Sequence, residues 1–182
     1  QPPVVVDGSL GVVSQTGDVI FLSPAGRLQS RARMYRGSDT RPVAGDRYMY
    51  VASLDQRIYA MSPFGGIQWE KLTSYPLVLQ PTYHDGVLYC GTRDQGLLAL
   101  DGATGATLWN SPGVHGEVIA ERDGWLMVWD GSHVTTLDPE TGDIVEHVEL
   151  PGISSIAFDD FVDGNMYVVS TSGLVAKFIP RS

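Results

Sequence analysis

Four histidines, one cysteine and a scatter of acids are the residues of this 182-residue chain best equipped for chemistry. Cys90 lies in the apolar run Val87-Leu88-Tyr89-Cys90. A thiol attacks only as the thiolate, which apolar surroundings disfavour, so the sequence predicts a buried structural cysteine. A single cysteine also removes an internal disulfide and a multi-cysteine zinc site. His84 abuts an Asp-Gly pair and His147 follows Glu146; the first reads as structural or solvated, the second as exposed. His115 and His133 fall in loops that would open onto one face, where ordinary surface histidines are the simpler reading of a ligand site. Asp159, Asp160 and Asp163, beside Gly164 and Asn165, invite calcium. Their spacing does not alternate as a calcium loop requires, and Asp163-Gly164 is accounted for as a turn. No Gly-x-Ser-x-Gly, His-Glu-x-x-His, P-loop or Cys-x-x-Cys-His pattern occurs. The expectation is no catalytic residue, no metal and no cofactor.

Charge narrows the partners. The formal net charge is -9, which opposes non-specific binding to nucleic acid. Arg27, Arg31, Arg33, Arg36, Arg41 and Arg47 are half of the 12 Lys and Arg. Such a cluster reads as a solvated outer strand before it reads as a docking patch. Hydrophobic residues make up 43%, so the chain can build a core. No apolar run approaches the ~20 residues of a spanning helix, so no direct membrane insertion is expected. The chain opens on Gln1 rather than Met and reads as processed or excised, which leaves its compartment open.

What must position these residues is a repeat. The turn residues Asp7, Asp46, Asp85, Asp123 and Asp163 are spaced 39, 39, 38 and 40 apart. Four of the five begin Asp-Gly, the sequence of a two-residue type I′ hairpin turn, Asp46 being the exception. Aromatic and β-branched runs follow each turn, such as Tyr48-Met49-Tyr50-Val51 and Met166-Tyr167-Val168-Val169. Their near-continuous apolar character suits strands buried on both faces. A polar turn, a third strand, a Thr-Gly or Ser-Pro turn and a fourth strand complete each unit. The fourth strand is expected to end at Trp69 in the second unit and at Trp109 in the third. No segment sustains a 3.6-residue apolar period, so essentially no helix is expected. A lone meander cannot bury both faces, but several stacked around an axis can. The fold class is therefore all-β, a β-propeller of about five four-stranded blades. The repeats run approximately 1–39, 40–78, 79–117, 118–156 and 157–182, as one domain. The last has three strands in this sequence. Either the ring is larger, or five blades close with one outer strand missing or supplied by another chain.

The third unit reads Ala99-Leu100-Asp101-Gly102-Ala103-Thr104-Gly105-Ala106-Thr107-Leu108-Trp109. It resembles the tryptophan-docking motif of pyrroloquinoline-quinone-like propeller repeats, in which the Trp docks between neighbouring blades. The fourth unit keeps Leu137-Asp138-Pro139-Glu140-Thr141-Gly142 but carries Glu146 near the Trp position. The first two units substitute Ser-Pro-x-Gly for the turn. WD40 repeats match less well, since Trp129-Asp130 occurs once and without its Gly-His partner. The resemblance implies one of two functions. Quinone-dependent dehydrogenases of the family are larger rings with calcium and usually an adjacent-cysteine pair, which this chain lacks. Cofactor-free members include an outer-membrane β-barrel assembly lipoprotein and propeller sensor domains, and the chain is more similar to these.

The expectation is a non-catalytic docking, scaffold or sensor module with a protein partner, working outside the cytoplasm, periplasmic or secreted. A dehydrogenase fragment and a glycan- or small-ligand-binding propeller are the alternatives. Loops on a rigid scaffold vary without disturbing the core, so the between-blade loop face is the expected site. Its candidate contacts are Arg36, Arg41, Asp55, Arg57, Arg93, Asp94, His115, Asp130 and His133. The rival is the outer strand with Arg27, Arg31 and Arg33, whose spacing predicts three side chains on one face beside a free edge. Meander geometry further predicts the Asp-Gly turns on one face of the ring and the loops at Asp55, Arg93, Asp130 and Ser172 on the other.

Overall fold

In the computed structural model, which describes residues 1–180, the chain forms five antiparallel sheets and no helix among the described residues. The first sheet is β1 (Val4–Val6), β2 (Ser9–Val13), β3 (Asp18–Leu22) and β4 (Leu28–Arg33). The second is β5 (Val43–Ala44), β6 (Met49–Ala52), β7 (Arg57–Ser62) and β8 (Gly66–Leu72). The third is β9 (Thr82–His84), β10 (Val87–Thr92), β11 (Gly96–Asp101) and β12 (Thr107–Ser111). The fourth is β13 (Glu117–Arg122), β14 (Trp125–Trp129), β15 (His133–Leu137) and β16 (Ile144–Glu149). The fifth has three strands, β17 (Ile153–Phe158), β18 (Met166–Ser170) and β19 (Val175–Phe178). It starts ahead of residue 157, where the interval count places it. Every strand pairs with its neighbour in sequence. The innermost strands touch in succession, β1 with β5, β5 with β9, β9 with β13 and β13 with β17. These are the blades of a propeller.

The cores lie in the seams between blades. Phe21, Val19 and Val13 of the first sheet meet Met49, Val51, Tyr59 and Met61 of the second. Tyr50, Ile58 and Ala60 meet Leu88, Cys90, Leu98 and Leu100 of the third. Tyr89, Leu97 and Trp109 meet Val118, Leu126, Val128 and Leu137 of the fourth. Alternate residues of β6, β10 and β11 thus serve different seams, and these strands are buried on both faces as expected. Strands β14 and β18 are not: β14 alternates, and β18 is half-buried throughout.

Cys90 is buried, and burial pushes its thiol up to about 12. The native thiol should therefore be silent to an aromatic disulfide reagent at about pH 8 and react fully once the chain unfolds. Rapid native reaction would contradict the placement.

Three Asp-Gly pairs make two-residue turns with positive φ at both positions: Asp7-Gly8, Asp85-Gly86 and Asp123-Gly124. The fourth does not. Asp163 has φ 50, but Gly164 is not in the left-handed region, and the ladder closes at Phe158 opposite Met166. Residues 159–165 form a longer loop instead. Asp159 accepts bonds from the Asn165 backbone N–H at 2.7 Å and side-chain N–H at 2.8 Å. The loop reaches across its neighbours. Glu121 N–H donates to Phe161 O at 2.7 Å, the Phe161 ring stacks on His84 at 4.3 Å, and Asp123 N–H donates to the Asp163 carboxylate at 2.9 Å.

The outer strands run past Trp69 and Trp109, where the sequence ends them, to Leu72 and Ser111. Arg27, Arg31 and Arg33 do not all share one strand face. Arg27 precedes β4 and belongs to its turn, where its N–H donates to Ser23 Oγ at 3.1 Å. A bulge opposite Phe21 and Leu22 then breaks the alternation, so only Arg31 and Arg33 share a strand face.

The Trp-docking motif has a direct physical reading. Asp101 Oδ1 accepts from Thr104 N–H and Thr104 Oγ1, both at 2.7 Å, which fixes the turn. Gly105, at φ 74, then offers a face without Cβ: one built there would lie 2.7 Å from Trp69 Cε3. Trp69 Nε1 donates to Gly102 O at 2.9 Å. One blade on, Trp109 lies over Gly142 and donates to Pro139 O at 2.9 Å. In the Ser-Pro turns a hydroxyl does the aspartate's work, as where Ser62 Oγ accepts from Phe64 N–H at 3.2 Å. The Thr104 hydroxyl and N–H hold the Asp101 carboxyl below its usual range. Its folded-state pKa is thus depressed, and the stability it contributes is present above the unfolded value and lost as pH falls through the folded one. Urea midpoints should drop below about pH 4, and Thr104→Val should shrink that acid-side loss.

Candidate docking face

The loops that join blades, residues 34–42, 73–81, 112–116 and 150–152, gather at one end of the sheets with the β2–β3-type turns. Backbone bonds tie the two sets together: Leu54 N–H to Gly37 O, Thr73 N–H to Gln56 O, and Leu150 N–H to Ser132 O. The Asp-Gly turns lie at the other end, as alternation in a meander demands. Rigid sheet ends therefore hold this loop face in place.

Its first part, at the seam of blades one and two, is occupied by internal bonds. Asp55 Oδ2 accepts from Tyr59 Oη at 2.8 Å and from Tyr35 N–H at 3.0 Å. Asp55 Oδ1 is buried without a hydrogen-bond partner among the described residues. Burial, then the Asp55 bond, push the Tyr59 hydroxyl well above its ordinary value. Arg57 lies 5.0 Å over the Tyr35 ring and 3.4 Å from Glu70. Asp55 and Arg57 thus build the loop rather than offer themselves to a partner. The side chains of Arg36 and Arg41 are exposed. Arg41 is anchored through its backbone to Gln80: N–H to Oε1 at 2.9 Å, and Nε2 to Arg41 O at 3.1 Å. Gln80 N–H donates in turn to Glu117 at 2.8 Å. That chain links three successive blades.

The second part is an open groove. A cavity of about 440 Å³ is lined by Tyr75, Pro76, Val78, Leu79, Arg93 and His115, with Gly91 and Thr92 at its floor. Arg93 lies 4.9 Å over the Tyr75 ring, which presents its planar fork without burying it. His115 Nδ1 lies 3.3 Å from Thr92 O. Asp94 is exposed on the same turn as Arg93. Val78 is 60% exposed and Tyr75 42%, an unusual outlay of apolar surface for a loop. A second cavity of about 220 Å³ adjoins it, sharing Leu79 and lined by Glu117, Trp129, Asp130 and Gly131. The groove is thus cationic at Arg93 and carboxylate-bearing at Glu117 and Asp130, with apolar surface between.

Asp130 is a fixed acceptor. Burial pushes its carboxyl up, but the N–H groups of His133 and Ser132 and the Ser132 hydroxyl outweigh this and hold it below the usual range. His133 stacks on His147 at 4.7 Å and approaches Asp130 Oδ2 at 3.1 Å.

Of the nine candidate residues, the structure places Arg93, His115 and Asp130 on the groove and Asp94 beside it. Arg36 and Arg41 project elsewhere on the same face, while Asp55, Arg57 and His133 are engaged internally. Sequence reasoning missed Tyr75, Val78, Leu79 and Glu117. The signal was present: Tyr75-Pro76-Leu77-Val78-Leu79 is an apolar run in a connection that ought to be polar. On the opposite face a cavity of about 190 Å³ is bordered by Tyr50 and Tyr83. Their hydroxyls are already engaged, with Gly102 O at 3.0 Å and Asp46 at 2.9 Å.

Residues 15–178 match the family model described as outer membrane protein assembly factor BamB. No curated protein matches the chain. Among solved structures, BamB from Moraxella catarrhalis aligns over 98% of this chain and 69% of its own at 18% identity, with a TM-score of 0.51. The WD40 β-propeller domain of Doa1 aligns over 99% and 63% at 16% identity, with a TM-score of 0.70. The quinohemoprotein alcohol dehydrogenase ADHIIG from Pseudomonas putida HK5 aligns over 99% and 42% at 17% identity, with a TM-score of 0.63. At such identities the likeness is one of fold. In most of these matches the chain spans less than two thirds of its counterpart.

Proposed function

This chain belongs to the family of the outer membrane protein assembly factor BamB, and on that premise we propose that it is a non-catalytic propeller that docks another protein on its between-blade loop face, outside the cytoplasm. The observation that carries the reading is the Tyr75–Val78–Arg93 groove. A tyrosine ring with an arginine fork held over it is the composition of an interface hot spot, and Val78 adds exposed apolar surface beside the pair. The partner would lay an apolar side chain against Val78 and Leu79 and bring a carboxylate to Arg93. Its basic groups would meet Glu117 and Asp130. Arg36, Arg41 and Asp94 extend the same surface toward its rim, where charge steers association more than it holds.

A photo-crosslinking residue at position 78, introduced in cells, should give one discrete protein adduct, and the same residue at Phe64 on the opposite face should not. Tyr75→Ala or Arg93→Glu should each weaken the captured partner by at least ~2 kcal/mol while leaving unfolding nearly unchanged. Reversal of Arg31 and Arg33 to Glu should matter less. Loss of binding from that outer-strand pair alone would move the docking surface to the edge of β4.

The dehydrogenase reading draws on the fold likeness to a quinohemoprotein. Pyrroloquinoline quinone with calcium, added at 100 times Kd, would stabilise a true binder by ~2.7 kcal/mol. We expect no such shift. A clear one would replace the docking proposal.

A further inference from the structure

Each blade turns one pair of facing residues toward the seam with the following blade. Across the ladder between third and fourth strands these pairs are Phe21 with Ser30, Ala60 with Trp69, Ala99 with Trp109 and Thr136 with Glu146. The first three each contain one large ring beside one small residue. The ring switches strand between the first blade and the next two, but the paired bulk is kept. In the fourth blade neither residue is aromatic. Close-packed interiors do not absorb the loss of a ring by small shifts.

The consequence is a cavity of about 340 Å³ between the fourth and fifth sheets. Met127, Val148, Ile156, Met166 and Phe178 contribute to an almost wholly apolar wall, and among the described residues Glu146 is its sole charged one. The volume lies in the range of roughly 300–1,000 Å³ typical of small-molecule sites. The cavity is open to solvent where Val148 and Phe178 are 39% and 48% exposed, and covering that apolar wall favours an apolar solute. The neighbouring seams show which shape the space accepts, a flat fused ring lying between two sheets. The carboxylate at the rim, exposed to solvent, fixes the charge that such a ring may carry.

We propose that this seam is a binding site for a small aromatic amine, whose ring takes the place of the absent indole and whose ammonium pairs with Glu146. The site is separate from the loop-face groove and does not depend on protein docking.

Tryptamine, indole-3-propionate and two variants of the whole chain test the proposal by calorimetric titration and thermal unfolding. Tryptamine should bind with one-to-one saturation and raise the melting temperature. Indole-3-propionate, the same ring with a like charge to Glu146, should bind about tenfold more weakly or worse. Glu146→Gln keeps the volume, removes the charge and should erase the preference between the two. Glu146→Trp restores the missing ring and should abolish binding of both. Because residue 146 is exposed, Glu146→Gln should fold normally and keeps the test valid if Glu146→Trp does not. Absence of tryptamine binding, equal binding of the two ligands to the unaltered chain, or undiminished binding to Glu146→Trp would overturn the proposal.

Discussion

Trp109→Ala is expected to cost ~3–5 kcal/mol of folding stability, among the largest effects of any single substitution here. The ring is 9% exposed and contributes to the core between blades three and four. Its removal would leave a cavity against Tyr89 and strip Pro139 O of the indole N–H donor. Gly142→Ala should approach the same loss from the other side of the contact. Its φ of 75 strains any residue with a Cβ, and that Cβ would run into the Trp109 ring. Left-handed strain and overpacking together account for ~2–5 kcal/mol. Urea unfolding with an unchanged m-value is the measurement. A loss below ~1 kcal/mol for both would mean that the motif does not hold the seam.

Phe21→Ala should cost a comparable ~3–5 kcal/mol, since the ring is fully buried between blades one and two. Its loss should also be repairable. Ser30 faces the same seam from the next strand, and its hydroxyl already reaches Ser62 O at 3.5 Å. Adding Ser30→Trp to Phe21→Ala converts the first blade to the small–large arrangement of the second and third. It should recover more than half of the loss, whereas Ser30→Trp alone should destabilise by overpacking, ~1–3 kcal/mol. That reversal of sign within a double-mutant cycle is the signature of two residues sharing one space. Additive losses would show that the seam is set by something other than the paired bulk.

Much of this architecture is legible in the chain because a turn has few sequence solutions. Asp7-Gly8, Asp85-Gly86 and Asp123-Gly124 need left-handed backbone at two successive positions, and few residue pairs provide it cheaply. The spacing of those pairs therefore carries the fold. Asp163-Gly164 has the same letters and a different conformation, because Asp159 ties off a longer loop that the ladder register, not the dipeptide, decides. The docking face was less legible for a similar reason. Asp55, Arg57 and His133 look available as letters, but each is engaged by residues distant in sequence, Tyr35, Glu70 and His147. Charge announces itself in a sequence; whether it is already paired does not. Val78 is apolar and yet exposed, and only its position in a connection between blades hints at that.

The unequal seams bear on how the chain comes apart. Every strand pairs with its sequence neighbour, so a blade is a nearly self-sufficient local unit, and cooperativity between blades passes only through the seams. Among the described residues four seams join the five blades. Three are strong, each carrying an aromatic ring, and the fourth, with its cavity of about 340 Å³, is weak. Such an array melts from its weakest junction. Native-state hydrogen exchange should show the amides of β17, β18 and β19 opening together at a lower free energy than those of β10 and β11, with the loop at Phe161 peeling from His84 in the same step. The all-or-none transition expected of a small domain would then split in two, with the fifth blade opening ahead of the other four.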